Sequence, residues 1–468
     1  MRPLLLLLGL ALAVGPADAQ RASKKKKPSA PAVMAAAPAS TAAPSRCGAT
    51  DEPLKPAAPA GDPTWVALAQ GDPRAYLVQV AETAMQRSRG VNVAALLEAA
   101  ARDDIRDAQA GGLPQAQLNL TSGWGGSQLN RVNGASGIEA RASLQIGGPL
   151  FDWGRQQQLV EWRRQLGEAA AANRANAAEQ VALQAVSLSL DRSRYALQAQ
   201  VYGQYVRKMA CLVEALQTIT QLDPGRSSEL VQAQKNQQQA DLALVGTQDL
   251  LRSTETRLRR FVGDPLPPVA SLSAVLARLP ELSVLQKDLL EAPDVNAAAA
   301  QALAAQRQVA AAAAGQKPQV SWVGSANAAA GNGRRIDYLG GVQVNVPLWR
   351  PTDEPQLTAA RRRAEAANVQ RDDALDAKGW RLLDIHESAG SSLDRAQRIT
   401  ELLRSSQTVR AATLQQWQQL GRRSLFDVMG AEADYYSLRV AHINAIYDAQ
   451  QAVAVMGSMG RGVVSLLK

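Results

Sequence analysis

The body of this sequence is duplicated, and the duplication limits the possible folds more than any other feature. Pro149-Leu150-Phe151 returns as Pro347-Leu348-Trp349, and Glu229-Leu230 returns as Asp427-Val428. Both pairs are separated by the same 198 residues. Self-similarity at a fixed offset indicates that one structural unit has been repeated along the chain.

The duplication predicts two copies, residues 75–262 and 281–468, joined by a linker over 263–280. Each copy is expected to contain a helix, two short strands, a very long helix, a polar turn and a second long helix. The predicted fold class is therefore mostly α with a small β part, built from long helical hairpins and four strands.

Proline placement predicts the long helices. No proline occurs between Pro149 and Pro224, and none follows Pro355. Continuous helices are expected over about 155–222 and 356–420, and the first would be roughly 100 Å long at 1.5 Å per residue. Helices of that length require coiled-coil packing. Taken alone, they would also fit a soluble structural coiled-coil protein.

Four segments alternate apolar and polar residues, which is typical of strands with one apolar face. They are residues 117–121, 139–146, 319–322 and 342–346. A soluble sandwich and an outer-membrane barrel both produce this pattern. Gly125-Gly126 and Asn332-Gly333 are expected in the loops between the strands of each pair.

Four strands are too few to close a membrane barrel, because the smallest barrels have about 8 strands. An open sheet edge would leave backbone groups unpaired in lipid, at several kcal/mol each. If these strands enter a membrane, several chains must share one barrel. Three chains would contribute about twelve strands, so we predict a homotrimer.

The N-terminal region has the features of an exported chain. Residues 1–19 read as a signal peptide, with a basic start, an apolar core and a small-residue cleavage pattern at Ala17-Asp18-Ala19. Residues 20–74 are rich in Pro, Ala, Ser and Lys and are predicted to be disordered. The lysine run 24–27 reads as a solvated tail, and no nucleic-acid partner is expected.

The candidate metal-binding and nucleophilic side chains are few. His386 and His442 lie in helical stretches without the convergent ligands that a zinc site needs. Cys211 is expected to be a small apolar residue on a helix face, although a disulfide with Cys47 is conceivable in an oxidising compartment. We predict no catalytic site, metal or cofactor, and hence no enzyme.

Taken together, the order of these elements resembles the TolC-like outer-membrane efflux family, from about Ala75 to the C-terminus. Pro149-Leu150-Phe151-Asp152-Trp153-Gly154-Arg155 looks like the family's strand-to-helix junction, and Pro347-Leu348-Trp349 looks like the second junction. The resemblance implies junction roles for Pro149, Gly154 and Pro347. It also implies four strands contributed to a shared trimeric transmembrane β-barrel.

The resemblance also implies a gate at the periplasmic turn of each helical hairpin. Gly421, Arg423 and Asp427 match the family's pattern of a glycine, a basic residue and a first acidic residue, whereas Gly430 replaces the second acidic residue. The implied arrangement links Arg423 to Glu229 and places a ring of Asp427 side chains in the constriction.

The function implied by the resemblance is a passive exit duct in the outer membrane with a large periplasmic portion. The implied partners are outer-membrane lipid, a periplasmic adaptor and an inner-membrane pump of the RND or ABC type. The duct would serve drug efflux or type I secretion, and the sequence does not separate these. A periplasmic membrane-fusion-type adaptor remains the alternative to a channel.

Overall fold

The structure is a computed structural model that describes Leu54 and residues 63–126, 136–331, 335–417 and 424–468. These residues form long helices and one sheet, as the predicted fold class requires, and that prediction is confirmed. In chain order the elements are α1 (Pro63–Gln70), α2 (Pro73–Arg87), α3 (Arg89–Ala110), β1 (Gln115–Gly126), β2 (Ser136–Phe151), α4 (Arg155–Leu222), a 3-10 turn (Pro224–Arg226), α5 (Ser227–Val262), α6 (Leu282–Leu289), α7 (Pro293–Gly315), β3 (Gln319–Ala330), β4 (Arg335–Asn345), α8 (Asp353–Gln415), α9 (Leu425–Met459) and α10 (Val463–Leu467).

The two long helices lie where proline placement predicts them. Helix α4 has 68 residues, and α8 has 63. Helix α8 starts before Pro355, because proline in the first turn costs no intrahelical hydrogen bond. Residues 418–420, the predicted end of this helix, lie outside the described residues. Throughout the described ranges, no helix is both long and apolar enough to cross a membrane.

The leading helix of each copy is split into two, which differs from the single helix predicted. Ser88 separates α2 from α3 with an extended backbone, and its hydroxyl accepts the N–H of Val91 at 3.4 Å. Pro293 begins α7, where its fixed φ favours a new helix and its missing N–H ends the preceding one. Residues that cap or begin helices therefore divide each of these segments into two helices, although apolar periodicity alone predicts one continuous helix.

The four strands form one antiparallel sheet in the order β1-β2-β3-β4. Pairing of β2 with β3 joins the two copies of the duplication within this sheet. The strands are longer than predicted, and Gly125 and Gly126 pair with Gly137 and Ser136 instead of lying in a loop. Ladder hydrogen bonds continue through both glycines, and Asn332-Gly333 falls outside the described residues.

The segment predicted as a linker, 263–280, is packed into the main core. The Tyr76 hydroxyl donates to the carbonyl of Pro268 at 3.0 Å, and the Arg192 guanidinium donates to that of Pro267 at 2.5 Å. The Gln450 amide donates to the Ser273 carbonyl at 3.1 Å. Burial raises the pKa of Tyr76 to about 12. These bonds fix the linker against α2, α4 and α9.

The N-terminal prediction needs one correction, because the segment 20–74 is not entirely disordered. Residues 63–70 form α1, and Trp65 packs edge-on against Tyr76 at a centroid distance of 5.8 Å. The apolar side chains of this short helix have a core to pack against, which composition alone does not reveal. The signal peptide 1–19 and the lysine run 24–27 lie outside the described residues.

The cysteine prediction also needs a correction. Cys211 is buried on α4, as expected of a small apolar residue, but it is disulfide-bonded. Cys47, the other cysteine of the chain, lies outside the described residues. Helical periodicity predicts the burial of Cys211 and carries no information about its covalent partner.

Candidate functional site

One face of the sheet is apolar and exposed. The register places Leu118 opposite Leu144, Leu120 opposite Ala142 and Trp124 opposite Ile138, so the large side chains share one face. Among those most exposed on this face are Leu120 (73%), Trp124 (77%), Ile138 (71%), Ile336 (78%) and Tyr338 (88%). An apolar face of this extent marks a surface that contacts another molecule or a membrane.

The opposite face of the sheet is polar. Gln117 lies opposite Gln145, and Asn119 lies opposite Ser143. Arg141, on the same face, forms an ion pair with Glu139 at 3.0 Å. In β1 and β2 this alternation separates an apolar surface from a hydrated one across the thickness of a single sheet. In β4 the separation is less complete, because Leu339 also lies on the polar face.

Aromatic side chains bound the apolar band at both ends. Trp124 lies at the end distant from the helices, while Phe151 and Trp153 lie at the helical end, with ring centroids 5.0 Å apart. From Gln115 to Trp124, β1 extends about 30 Å at roughly 3.3 Å per residue. A tilt of about 40° would reduce that to roughly 23 Å, close to the ~25 Å height of the apolar band of outer-membrane barrels.

Both edges of the sheet are open. Within the described chain, β1 pairs only with β2, and β4 pairs only with β3. Each outer edge therefore presents a row of backbone N–H and C=O groups to its surroundings. Water can satisfy these groups, whereas lipid cannot.

The first strand-to-helix junction contains Pro149 and Gly154. The pairing of β2 with β3 is irregular between Pro149 and Phe151, which redirects the chain as the strand ends. Trp153 and Gly154 then take positive φ angles of 59° and 76°. The backbone N–H groups of Gly154 and Gln156 donate to the Asp152 carboxylate at 3.0 and 2.7 Å, which caps α4.

The second junction departs from the first. Pro347 is half-buried between the end of β4 and the start of α8. Leu348 and Trp349 beside it are 92% and 85% exposed. No residue between Asn345 and Asp353 takes a positive φ angle, unlike Trp153 and Gly154 at the first junction.

The tips of the two hairpins pack together, but only part of the predicted gate can be described. Glu229 and Asp427 occupy the first turns of α5 and α9, at equivalent positions in the two copies. Asp427 is exposed, whereas the Oε2 atom of Glu229 is buried and accepts no hydrogen bond from any described residue. Arg423 and Gly421 lie outside the described residues, and Gly430 is exposed on α9.

A buried charged cluster lies close to these tips, and sequence reasoning did not find it. Glu432 on α9 is fully buried between Lys208 of α4, at 3.6 Å, and Arg410 of α8, at 3.4 Å. The Arg410 guanidinium lies 4.1 Å above the ring of Tyr435. Burial, with Glu432 and Asp434 adding to it, raises the pKa of Tyr205. The cluster joins α4 of the first copy to both helices of the second hairpin, α8 and α9.

The two histidines have structural partners. The Nε2 atom of His386 lies 3.2 Å from the Pro280 carbonyl, and that of His442 lies 3.0 Å from the Thr400 hydroxyl. Burial lowers the pKa of His442. Across the residues described by the structure, no group of three or more His, Cys, Asp and Glu side chains could hold a metal ion.

Comparison with known proteins reveals relatives only at the level of structure. No family model matches the sequence, and no curated protein matches it. The outer-membrane channel OprN aligns with a TM-score of 0.73 at 17% identity, covering 90% of this chain and 96% of OprN. The outer membrane protein VceC from Vibrio cholerae aligns at 0.71 and 19% identity, covering 83% of this chain and 97% of VceC.

The CmeC outer membrane channel of Campylobacter jejuni gives the same result. It aligns with a TM-score of 0.71 at 14% identity, covering 89% of this chain and 92% of CmeC. At such low identities the likeness establishes a shared fold. The TolC-like fold implied by the sequence resemblance is therefore confirmed.

Proposed function

We propose that this chain, which shares the fold of outer-membrane channels, is one protomer of a homotrimeric channel in the outer membrane. The observation that carries the proposal is the amphipathic sheet with its exposed apolar face and two open edges. The solved structures with this fold are named as outer-membrane channels, which supports the same assignment. The protein acts as a duct and not as an enzyme.

The open edges require that several chains share one barrel if the sheet lies in lipid. If the sheet lies in lipid, β1 of one protomer must pair with β4 of the next, because unpaired backbone groups in lipid are too costly. Three copies give about twelve strands, enough to close a barrel with a water-filled interior. The polar face lines that interior, and the apolar face meets lipid.

The helices extend the duct away from the membrane. Helix α4 is roughly 100 Å long at 1.5 Å per residue, and it runs directly from the end of the sheet. We assign this part to the periplasm, where a periplasmic adaptor and an inner-membrane pump of the RND or ABC type would supply cargo and energy. The duct itself is passive, in drug efflux or in type I secretion.

Three measurements test the proposal together. The mass of the purified protein in mild detergent should correspond to three chains, and the same preparation should form conducting channels in planar lipid bilayers. The protein should also remain with outer membranes through carbonate washing. A stable monomer that still inserts into lipid would contradict the shared barrel, and a trimer that never conducts would contradict the duct.

We also propose that the hairpin tips form the gate of this duct. Glu229 has a buried carboxylate oxygen without a donor among the described residues, and buried acceptors normally have one. Arg423 is proposed as that donor, in a link that holds the tips closed. Asp427 is exposed in the first turn of α9, and three copies would form an acidic ring.

The proposed gate predicts a different effect for each of two variants: a change in conductance for one and a change in ion selectivity for the other. Arg423→Ala should raise single-channel conductance without changing the amount of trimer, because the sheet proposed to close the barrel lies at the opposite end of α4 from the tips. Asp427→Ala should reduce cation selectivity in planar bilayers. Asp241→Ala, an exposed carboxylate on α5 beyond the tip, is the matched control. Parent-like conductance and selectivity in both tip variants would place the gate elsewhere.

A further inference from the structure

The helical end of the apolar sheet face carries an ordered group of aromatic and basic side chains. Phe151 is paired with Val320, which puts it on the apolar face, and Trp153 packs against it in a T-shaped contact at 5.0 Å. The Lys317 ammonium lies 5.0 Å from the centre of the Trp153 ring, within the range of a cation–π contact. Lys317, Phe151 and Trp153 therefore lie together at the helical end of the apolar band.

The Trp153 ring is held in a defined position. Its indole N–H donates to the Pro318 carbonyl at 2.7 Å, which ties the first junction to the second copy of the duplication. The backbone of Trp153 has a φ of 59°, a region that non-glycine residues rarely adopt. Both features fix the ring while leaving it 48% exposed. A residue whose strained backbone is held in place by its surroundings is more typical of a functional site than of ordinary packing.

A second cation, Arg155, lies at the same end of α7 as Lys317. The Arg155 side chain packs over Gly315, and its Nε atom is 3.3 Å from the position that a Cβ there would occupy. Arg155 and Lys317 are therefore both at the end of α7. In the described chain neither forms an ion pair with a carboxylate, and the nearby Asp152 carboxylate is already bonded to the start of α4.

We propose that Lys317, Arg155 and Trp153 form a binding site for the headgroup of an anionic phospholipid of the phosphatidylglycerol class. The inference rests on the proposed function, in which the apolar face meets lipid and the helices lie in the periplasm. The two cations then face the headgroups of the inner leaflet. The phosphate binds between the ammonium and the guanidinium, and the acyl chains follow Phe151 and the sheet.

Native mass spectrometry of the full-length trimer in mild detergent tests this site, with phosphatidylglycerol and phosphatidylethanolamine added separately. The parent should bind phosphatidylglycerol in preference. Lys317→Gln combined with Arg155→Gln should reduce that preference by about thirtyfold, as expected for two cations near an anionic surface. Lys317→Arg should retain it. Lys235→Gln, an exposed lysine near the opposite end of the helices, should also retain it.

Two results would overturn the site. One is an unchanged preference in the double variant, and the other is displacement of phosphatidylglycerol by millimolar inorganic phosphate, which would indicate a simple anion site. If the unchanged preference comes with a lower melting temperature, the cations only stabilise the end of α7. Trimer mass and conductance are measured on the same samples. A conducting trimer without lipid preference contradicts this site alone, whereas loss of both in the parent contradicts the proposed function.

Discussion

Leu120→Arg should sharply reduce the amount of trimer assembled in the outer membrane and lower the temperature at which purified trimers dissociate. Leu120 lies near the middle of β1 on the apolar face, with 73% of its surface exposed. In the proposed channel that exposed surface contacts lipid. A basic residue near the bilayer midplane of a barrel costs about 2–4 kcal/mol, so each copy of the trimer is destabilised substantially.

Asn119→Arg is the matched control for this prediction. Asn119 is the preceding residue of the same strand and lies on the polar face opposite Ser143. Its side chain would extend into the water-filled interior, so trimer yield and dissociation temperature should stay near those of the parent. Heated and unheated samples on a gel, together with membrane fractionation, measure both quantities. Equal losses in the two variants would mean that the sheet does not separate lipid from water.

This contrast depends on information that the sequence already contains. Alternation along 117–121 and 139–146 has period two, which fixes the two faces of a strand whatever the strand pairs with. The long helix at 155–222 could also be predicted from the sequence, because no proline interrupts it before Pro224. Strand faces and long helices can therefore be predicted from local sequence, because each depends on one local feature: the alternation of apolar and polar residues, or the absence of proline.

Features that depend on packing between distant segments could not be predicted from local sequence. The linker 263–280 has a turn-rich sequence, yet its carbonyls accept hydrogen bonds from Tyr76 and Arg192. Helix α1 lies in a segment whose composition is typical of disorder, and its order depends on packing of Trp65 against Tyr76. Neither partner can be identified without the tertiary structure.

At the candidate gate, too, the sequence identifies some residues, whereas others are found only in the tertiary structure. The duplication identifies Glu229 and Asp427 as equivalent residues, and the structure places both in the first turn of the second helix of a hairpin. Glu432, five residues beyond Asp427, has no counterpart in any sequence motif. Its role is visible only because α4 and α8 bring Lys208 and Arg410 to it.

Glu432 gives the largest effect that we expect of a single substitution. Glu432→Ala should destabilise the packing of α9 against α4 and α8 by about 3–5 kcal/mol, because it leaves the side chains of Lys208 and Arg410 largely buried without this carboxylate. Hydrogen–deuterium exchange should show faster exchange in the peptides that surround these three residues. The sheet is at the other end of α4, so trimers should still form.

Two further variants separate the charge from the volume of the side chain. Asp434→Ala removes an exposed carboxylate two residues away and should leave exchange nearly unchanged. The triple replacement Glu432→Leu, Lys208→Met and Arg410→Met removes every charge of the cluster while keeping its volume, and it should recover most of the lost stability. This recovery is expected because burying charge is itself costly, and apolar side chains avoid that cost. If the triple variant is as unstable as Glu432→Ala, the cluster contributes specific hydrogen bonds that apolar packing cannot replace.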